Sequence, residues 1–258
     1  MQDSSSPDFV TALARGIDVL GCFDGDHRRM NLSQVAERVG LSRGTTRRFL
    51  LTLESLGLLE SDGKLFWMTS KVLRFANAYL SAFGLGDAAK AVLRRLAEDV
   101  LESASMSVLD GGVITYVARA DPPRRLASAV GLHIGSQLPA HCASMGRVLL
   151  AAMDDEALQD WLRRHPLEPV TERTLTDPVA WRAEIAQIRQ NGYAILDGEM
   201  ETGVRSLAVP VRDRTGRTIA AVNVATLTGR TSLAELRKTF LPALRRTAEE
   251  IAHLMEHR

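Results

Sequence analysis

The sequence predicts an α+β protein of two domains: an N-terminal winged helix-turn-helix, joined by a helical linker to a larger C-terminal domain of antiparallel strands and helices. Three observations predict it. Leu32 to Leu59 carries apolar residues at helical spacing on both sides of a tight Val39-Gly40-Leu41 turn. Immediately afterwards, Leu58-Leu59-Glu60-Ser61 and Lys64-Leu65-Phe66-Trp67 flank Asp62-Gly63, a strong short-range hairpin signal. Beyond residue 104, hairpins mix with amphipathic helices, as in an antiparallel sheet covered by helices. The 258 residues are enough for each domain to bury its own core.

From Phe9 to Phe23, Val10, Leu13, Ile17 and Leu20 recur at three- and four-residue spacing, which predicts a helix with these residues on its core face, ended by Asp24-Gly25-Asp26. Ser33 is placed to cap a second helix with Val35, Ala36 and Val39 inward, and Gly40 supplies the left-handed residue that stops it. Leu41 plugs the turn. Ser42 caps a third helix with Thr46, Phe49, Leu50, Leu53 and Leu56 on its buried side. The opposite face presents Arg43, Gly44, Thr45, Arg47, Arg48 and Thr52, short residues and arginines that can enter a major groove and reach phosphates and base edges. Four arginines and no acid lie between Arg38 and Arg48. With Ser42 at the cap and Lys64 in the wing, these residues form the candidate DNA surface. The alternative is a solvated helix face on a module that contacts another protein.

The winged module is assigned to residues 1–75, the linker to 76–103 and the second domain to 104–258. Val72, Leu73, Ala76 and Leu80 predict a helix over Ser70 to Phe83. Gly84-Leu85-Gly86 interrupts it, and Asp87 to Glu102 predicts another helix with Ala91, Leu93, Leu96, Val100 and Leu101 on its apolar side. The glycine pair reads either as a joint or as a plain helix break. Ser105 to Asp110 and Val113 to Arg119 alternate around Gly111-Gly112 as a hairpin, and Arg125 to Val130 reads as a strand. Helices follow from Ser144, over Glu156 to Arg164, and from Asp177-Pro178 to Asn191-Gly192. Tyr193 to Leu196, Ser206 to Arg212 and Thr218 to Thr226 read as strands, and Ser232 opens a closing helix to about Glu256 with a capping box.

Hydrophobic residues at 45% and charged residues at 24% fit an ordinary globular protein. No apolar run approaches the roughly 18 residues of a membrane span, and the polar, acidic start lacks a secretory pattern, so a cytoplasmic protein is expected. Cys22 and Cys142 lie far apart and outside any CxxC spacing, which indicates neither a disulfide framework nor a metal site. The net charge of +1 says little, because local clustering decides nucleic-acid binding.

In the second domain His133 and His141 are candidate acid-base groups and Cys142 or Ser144 a candidate nucleophile, but no GxSxG elbow, metal-ligand spacing or phosphate loop surrounds them. An enzyme, a small hydrolase or transferase with an accessory DNA module, is therefore the alternative function. Leu138 to Leu150 instead reads as a small-residue loop feeding a helix start, where Ser144, Met145 and Gly146 expose backbone donors and Arg147 adds charge, a setting for a small carboxylic acid. The alternative at this loop is an ordinary cap by Ser144, with Gly146 permitting close packing on the sheet.

The chain resembles the IclR-type transcriptional regulators from about Phe9 to the C-terminus. The residues that carry the likeness are Leu13 to Leu20 and Gly40 to Arg48 in the first domain. In the second they are Leu138 to His141 with Ser144 to Ala151, then Gly192-Tyr193, Glu199, Gly203, Arg205 to Pro210, and Gly216. Met106 to Asp110, Tyr116 to Arg119 and the arginine of Ser144-Met145-Gly146-Arg147 are similar to the branch that regulates aromatic acid breakdown through the β-ketoadipate pathway; many other members have lysine in place of Arg147. The resemblance implies a GAF-like effector domain, binding to a palindromic double-stranded operator, dimers made through the N-terminal domains and often tetramers, and no cofactor. The implied effector is an aromatic or dicarboxylic acid such as 4-hydroxybenzoate, protocatechuate or β-ketoadipate. The implied pocket positions are Ser144, Met145, Leu196 or Asp197, Ser206, Asn223 and Ala225. Some members have serine in place of Asn223 and Ala225 and cysteine in place of Ser206. An activator would also contact RNA polymerase. The sign of regulation depends on operator position and is not written in the chain.

Overall fold

The computed structural model describes residues 7–82, 87–122 and 131–256. The chain divides into two compact units, Met1–Tyr79 and Leu80–Arg258. The Gly84-Leu85-Gly86 joint and the strand expected over Arg125 to Val130 lie outside the described residues.

The first unit contains α1 (Thr11–Gly21), β1 (Met30–Asn31), α2 (Leu32–Val39), α3 (Arg43–Ser55), β2 (Leu59–Ser61) and β3 (Leu65–Met68). Its core gathers Val19, Phe23, Met30, Val35, Leu50, Leu53 and Leu59. The α2–α3 turn forms as expected, with Gly40 at φ +65° and Ser42 Oγ accepting from the backbone N–H of Thr45. α2, however, is capped by Asn31 rather than Ser33: Asn31 Oδ1 accepts from the N–H groups of Ser33 and Gln34, and Gln34 Oε1 accepts from the Asn31 N–H. This places the cap on β1, a two-residue strand too short to read from alternation, which pairs with β3 to give the order β1-β3-β2. The hairpin turns at Asp62-Gly63, where the Asp62 carboxylate accepts from the Lys64 and Leu65 N–H groups.

The expected core face of α1 is a correction. Val10, Leu13 and Ile17 are 62%, 64% and 61% exposed, and Val19 is the buried residue of the helix. Leu56 is also exposed, because α3 ends one residue earlier and Leu56 serves as its C-cap. The α4 helix (Leu73–Ala82) follows a short 3-10 turn at Ser70–Val72, and its Leu73, Phe75 and Tyr79 are exposed.

In the second unit, α5 (Asp87–Val100) buries Val92, Leu93, Leu96 and Ala97 in the main core, while Ala91 and Leu101 face out. The segment assigned to the linker at 76–103 therefore includes a core helix of this unit. Among the described residues, six antiparallel strands lie in the order β6-β5-β4-β9-β8-β7: β4 (Ser103–Asp110), β5 (Val113–Ala120), β6 (Gln137–Pro139), β7 (Ala194–Asp197), β8 (Val204–Arg212) and β9 (Thr218–Leu227). The sheet is covered on both faces, so the inner strands β8 and β9 carry apolar residues on both, whereas β4 alternates Ser103, Ser105 and Ser107 with Ala104 and Met106. One face packs on α5 and on the closing helical segment, which comprises α9 (Leu233–Glu235), a π-helical stretch Leu236–Phe240 and α10 (Leu241–Glu256). The other face packs on α6 (Ser144–Ala151), α7 (Asp155–Arg164) and α8 (Pro178–Asn191) around Trp161, Trp181, Ile185 and Leu150. A bulge at Met106/Ser107 shifts the β4–β5 register.

Candidate functional site

The outer face of α3 carries Arg43, Gly44, Arg47, Arg48 and Thr52, all exposed, with Ser42 exposed at the cap and Thr45 half-buried. Two of its hydroxyls are engaged within the helix: Ser42 Oγ lies 2.9 Å from Thr45 Oγ1, and Thr52 Oγ1 donates to the Arg48 carbonyl at 2.8 Å. The arginines are thus the long donors of this face. Lys64 is exposed at the wing. Sequence reasoning missed Arg29, whose guanidinium stacks 4.1 Å from the centre of the Trp67 ring on β3. Its position next to the wing depends on β1, which the pattern did not show.

In the second unit a cavity of about 230 Å³ opens between the sheet and the start of α6. Ser144, Met145, Ser206, Asn223 and Ala225, all expected at the site, line it. Ile114, Tyr116, Leu132, Leu138, Ala143, Met200, Glu201 and Val204 complete the wall. Ile114 and Tyr116 were legible as alternate residues of one strand face. Met200 and Glu201 come from the β7–β8 connection and carry no such signal.

The α6 start differs from an ordinary cap. Its N-cap residue is Ala143, which offers no side-chain acceptor. The Ser144 side chain is 2% exposed, and its Oγ has no hydrogen-bond partner. A buried, unpaired hydroxyl beside helix N–H groups without a side-chain cap costs free energy that a polar partner would offset. Gly146 is needed for packing: a Cβ there would stand 2.1 Å from the Ala140 carbonyl oxygen.

Gly146, Arg147, Leu196 and Asp197 are not in the cavity wall. Arg147 is 0% exposed: its Nε donates to the His141 carbonyl at 2.7 Å, Nη1 lies 2.6 Å from Glu184 Oε1, and Nη2 pairs with Glu199. Its charge is taken up by two carboxylates and is not available to a ligand. Glu199 Oε2 also accepts from the Leu175 N–H, and the Glu199 carbonyl accepts from Thr174 Oγ1 at 2.7 Å, so the arginine ties α6 to the two loops beside the cavity. Asp197 is bound by Arg205 Nε and Nη2 at 3.1 and 3.0 Å, and these hydrogen bonds hold its carboxyl below the usual carboxylate range. Leu196 packs in the core beneath α6 and α8.

The candidate nucleophile and base do not meet. His141 Nε2 donates to the Glu168 carbonyl at 2.8 Å, and burial lowers its pKa. Cys142 Sγ faces Met200 Sδ at 3.6 Å, and burial pushes the thiol up to about 11. His133 Nδ1 bonds the Ile134 carbonyl.

Residues 12–63 match the IclR helix-turn-helix domain and residues 77–253 the C-terminal domain of the bacterial transcriptional regulator IclR. The chain belongs to the IclR family of transcriptional regulators. It is 42% identical over 250 residues to the Pca regulon regulatory protein of Pseudomonas putida, covering 97% of this chain and 86% of that one. It is 37% identical over 257 residues to the p-hydroxybenzoate hydroxylase transcriptional activator of Acinetobacter baylyi, covering 98% and 95%. An IclR homologue from Microbacterium hydrocarbonoxydans, solved in complex with 4-hydroxybenzoate, superposes with a TM-score of 0.84 at 25% identity over 96% of this chain and all of that one. The protein is thus a DNA-binding, effector-responsive regulator and not an enzyme.

Proposed function

We propose that the protein controls genes of aromatic acid catabolism, acting in the cytoplasm as a homodimer whose two α3 helices enter successive major grooves of a palindromic operator about 34 Å apart. Arg43, Arg47 and Arg48 divide phosphate and base contacts, assisted by Gly44 and Thr45, with Lys64 on the backbone. The apolar stripe Val10, Leu13 and Ile17 on α1 supports the dimer, since a second copy would cover it. Assembly into a tetramer and, for an activator, contact with RNA polymerase complete the proposal.

The effector is a small aromatic or dicarboxylic acid. The observation that carries this reading is the unpaired, buried Ser144 hydroxyl at the uncapped start of α6, on the wall of an otherwise mostly apolar cavity. An apolar cavity of about 150 Å³ accepts benzene, so 230 Å³ accommodates a substituted ring. The names of the relatives point the same way.

Footprinting of the promoter next to the gene, with and without a panel of such acids, tests the whole proposal. Calorimetry with the same panel tests the cavity alone, and a uniformly silent panel overturns the acid reading. Replacing Arg43, Arg47 and Arg48 together by alanine should flatten the salt dependence of operator binding by about one unit for each phosphate no longer neutralised. Unchanged affinity would remove α3 from the interface. Analytical ultracentrifugation of Leu13→Glu reads the dimer.

A further inference from the structure

Apart from Arg147 Nη1, which lies against Glu184, two buried side-chain polar atoms have no hydrogen-bond partner among the described residues: Ser144 Oγ and Arg119 Nε. Ser144 belongs to the site already described. Arg119 does not, and strand register locates it. Ser105 on β4 lies between Ala104 and Met106, Asn223 on β9 lies between Val222 and Val224, and Arg119 on β5 follows Ala118. All of those neighbours belong to the core on the α5 and α10 face. Alternation therefore puts Arg119, Ser105 and Asn223 on the cavity face. They pair as one transverse row, Arg119 with Ser105 and Ser105 with Asn223, and Asn223 lines the cavity.

The Arg119 side chain is 8% exposed. Nη1 donates to Ser105 Oγ at 3.3 Å, and Nη2 donates to Ser103 Oγ at 3.1 Å and to Asp121 Oδ1 at 2.9 Å. Nε is left unused. Arg119 is not itself in the cavity wall, but Asn223 of the same row and Tyr116, three residues before it on β5, are; burial pushes the Tyr116 hydroxyl up to about 12, and the Arg119 charge acts against it. Arg147, by contrast, has both Nη groups on carboxylates and its Nε on a carbonyl.

A guanidinium has only donors, so the atom that satisfies Nε must be an acceptor. We propose that Arg119 is a specificity-determining residue of the cavity and contacts an acceptor oxygen of the effector distinct from the group received at Ser144. The effector is therefore bifunctional, an acid bearing a hydroxyl or a second carboxylate. This rests on the cavity being an acid site.

The test is calorimetric titration of the full chain with two matched pairs, 4-hydroxybenzoate against benzoate and adipate against hexanoate. In one pair the wild type should bind the doubly functional acid at least about tenfold more tightly. Arg119→Met should reduce that preference to less than about threefold and leave the affinity for the simple acid unchanged, because the simple acid lacks the oxygen that Nε would receive, and the hydrogen bonds also lost to Ser103, Ser105 and Asp121 do not involve the group received at Ser144. Should that variant not fold, Arg119→Gln, which keeps donors for Ser103 and Ser105, takes its place. A variant that retains the preference, or that weakens both members equally, overturns the assignment, as does a wild type with no preference in either pair. Wild-type binding of none of the four acids overturns the acid reading of the cavity and this assignment with it.

Discussion

Two helix starts in this chain are similar in sequence and opposite in environment. Ser42-Arg43-Gly44-Thr45-Thr46-Arg47-Arg48 opens α3, and Ala143-Ser144-Met145-Gly146-Arg147 opens α6; each joins small residues to arginine. At α3 the serine caps the helix and the arginines stand in solvent. At α6 the cap position is an alanine, every residue is buried, and the arginine is held by carboxylates from α8 and the β7–β8 connection. The difference teaches that an arginine near a helix start is a ligand for an anion only if the fold leaves its charge unmatched. At α6 the group left unmatched is the Ser144 hydroxyl at a start with no side-chain cap, not the arginine.

Four measurements can break or sharpen this contrast. The largest effect is expected for Arg147→Met, which leaves Glu199, 12% exposed, without its cation. Breaking a buried pair in this way should cost about 3–5 kcal/mol, read by urea unfolding through tryptophan fluorescence. A loss below about 1 kcal/mol would make this arginine as dispensable as a surface one. Next come the glycines. Gly146→Ala drives a Cβ into the Ala140 backbone and should cost about 1–3 kcal/mol or more and weaken acid binding. Gly44→Ala meets nothing within 4 Å and should be neutral or stabilising by up to about 1 kcal/mol. Equal effects at the two positions would erase the distinction.

A smaller effect concerns acid. The Asp197 carboxyl is held below its usual range by Arg205. A lowered folded-state pKa contributes stability that is fully present above the unfolded value of about 4 and is lost as pH falls through the folded value. Asp197→Asn should remove that part of the decline in denaturation curves taken below about pH 4; an unchanged acid limb would show that the pair is not coupled to folding. The smallest effect is on the stability of the Arg43, Arg47 and Arg48 triple alanine variant, expected within about 0.5 kcal/mol of wild type. A larger loss would mean that these side chains hold α3 in place rather than face DNA.

Much of the fold was legible because the signals are local. Gly40 and Gly192 at left-handed helix ends, Asp62-Gly63, Gly111-Gly112 and the Asp177-Pro178 helix start each constrain only a few neighbouring residues, and each formed where expected. Val10, Leu13 and Ile17 depart from the expectation, because apolar periodicity marks a face to be covered without saying whether the same chain covers it. Ser33 lost the cap to Asn31, since two acceptors stood within reach and the short strand β1 chose between them. At the cavity, Ser144, Met145, Ser206, Asn223 and Ala225 were placed by resemblance to relatives, whereas Arg147 and Asp197 were not separable from them in sequence. Their partners Glu184, Glu199 and Arg205 lie at other points of the chain, and pairing between distant charges leaves no periodic trace.

By itself, the sequence determined the turn-and-wing order of the first unit and most of the helices and strands of the second, though not β6, through periodicity, turn chemistry and capping, all of which act within a few residues; the family was read from resemblance to known regulators. Only the tertiary structure decided which charges are neutralised, which helix start lacks a cap, and that Arg119 shares a sheet face with Asn223. Those outcomes depend on burial and on strand register, which sum contributions from segments more than a hundred residues apart.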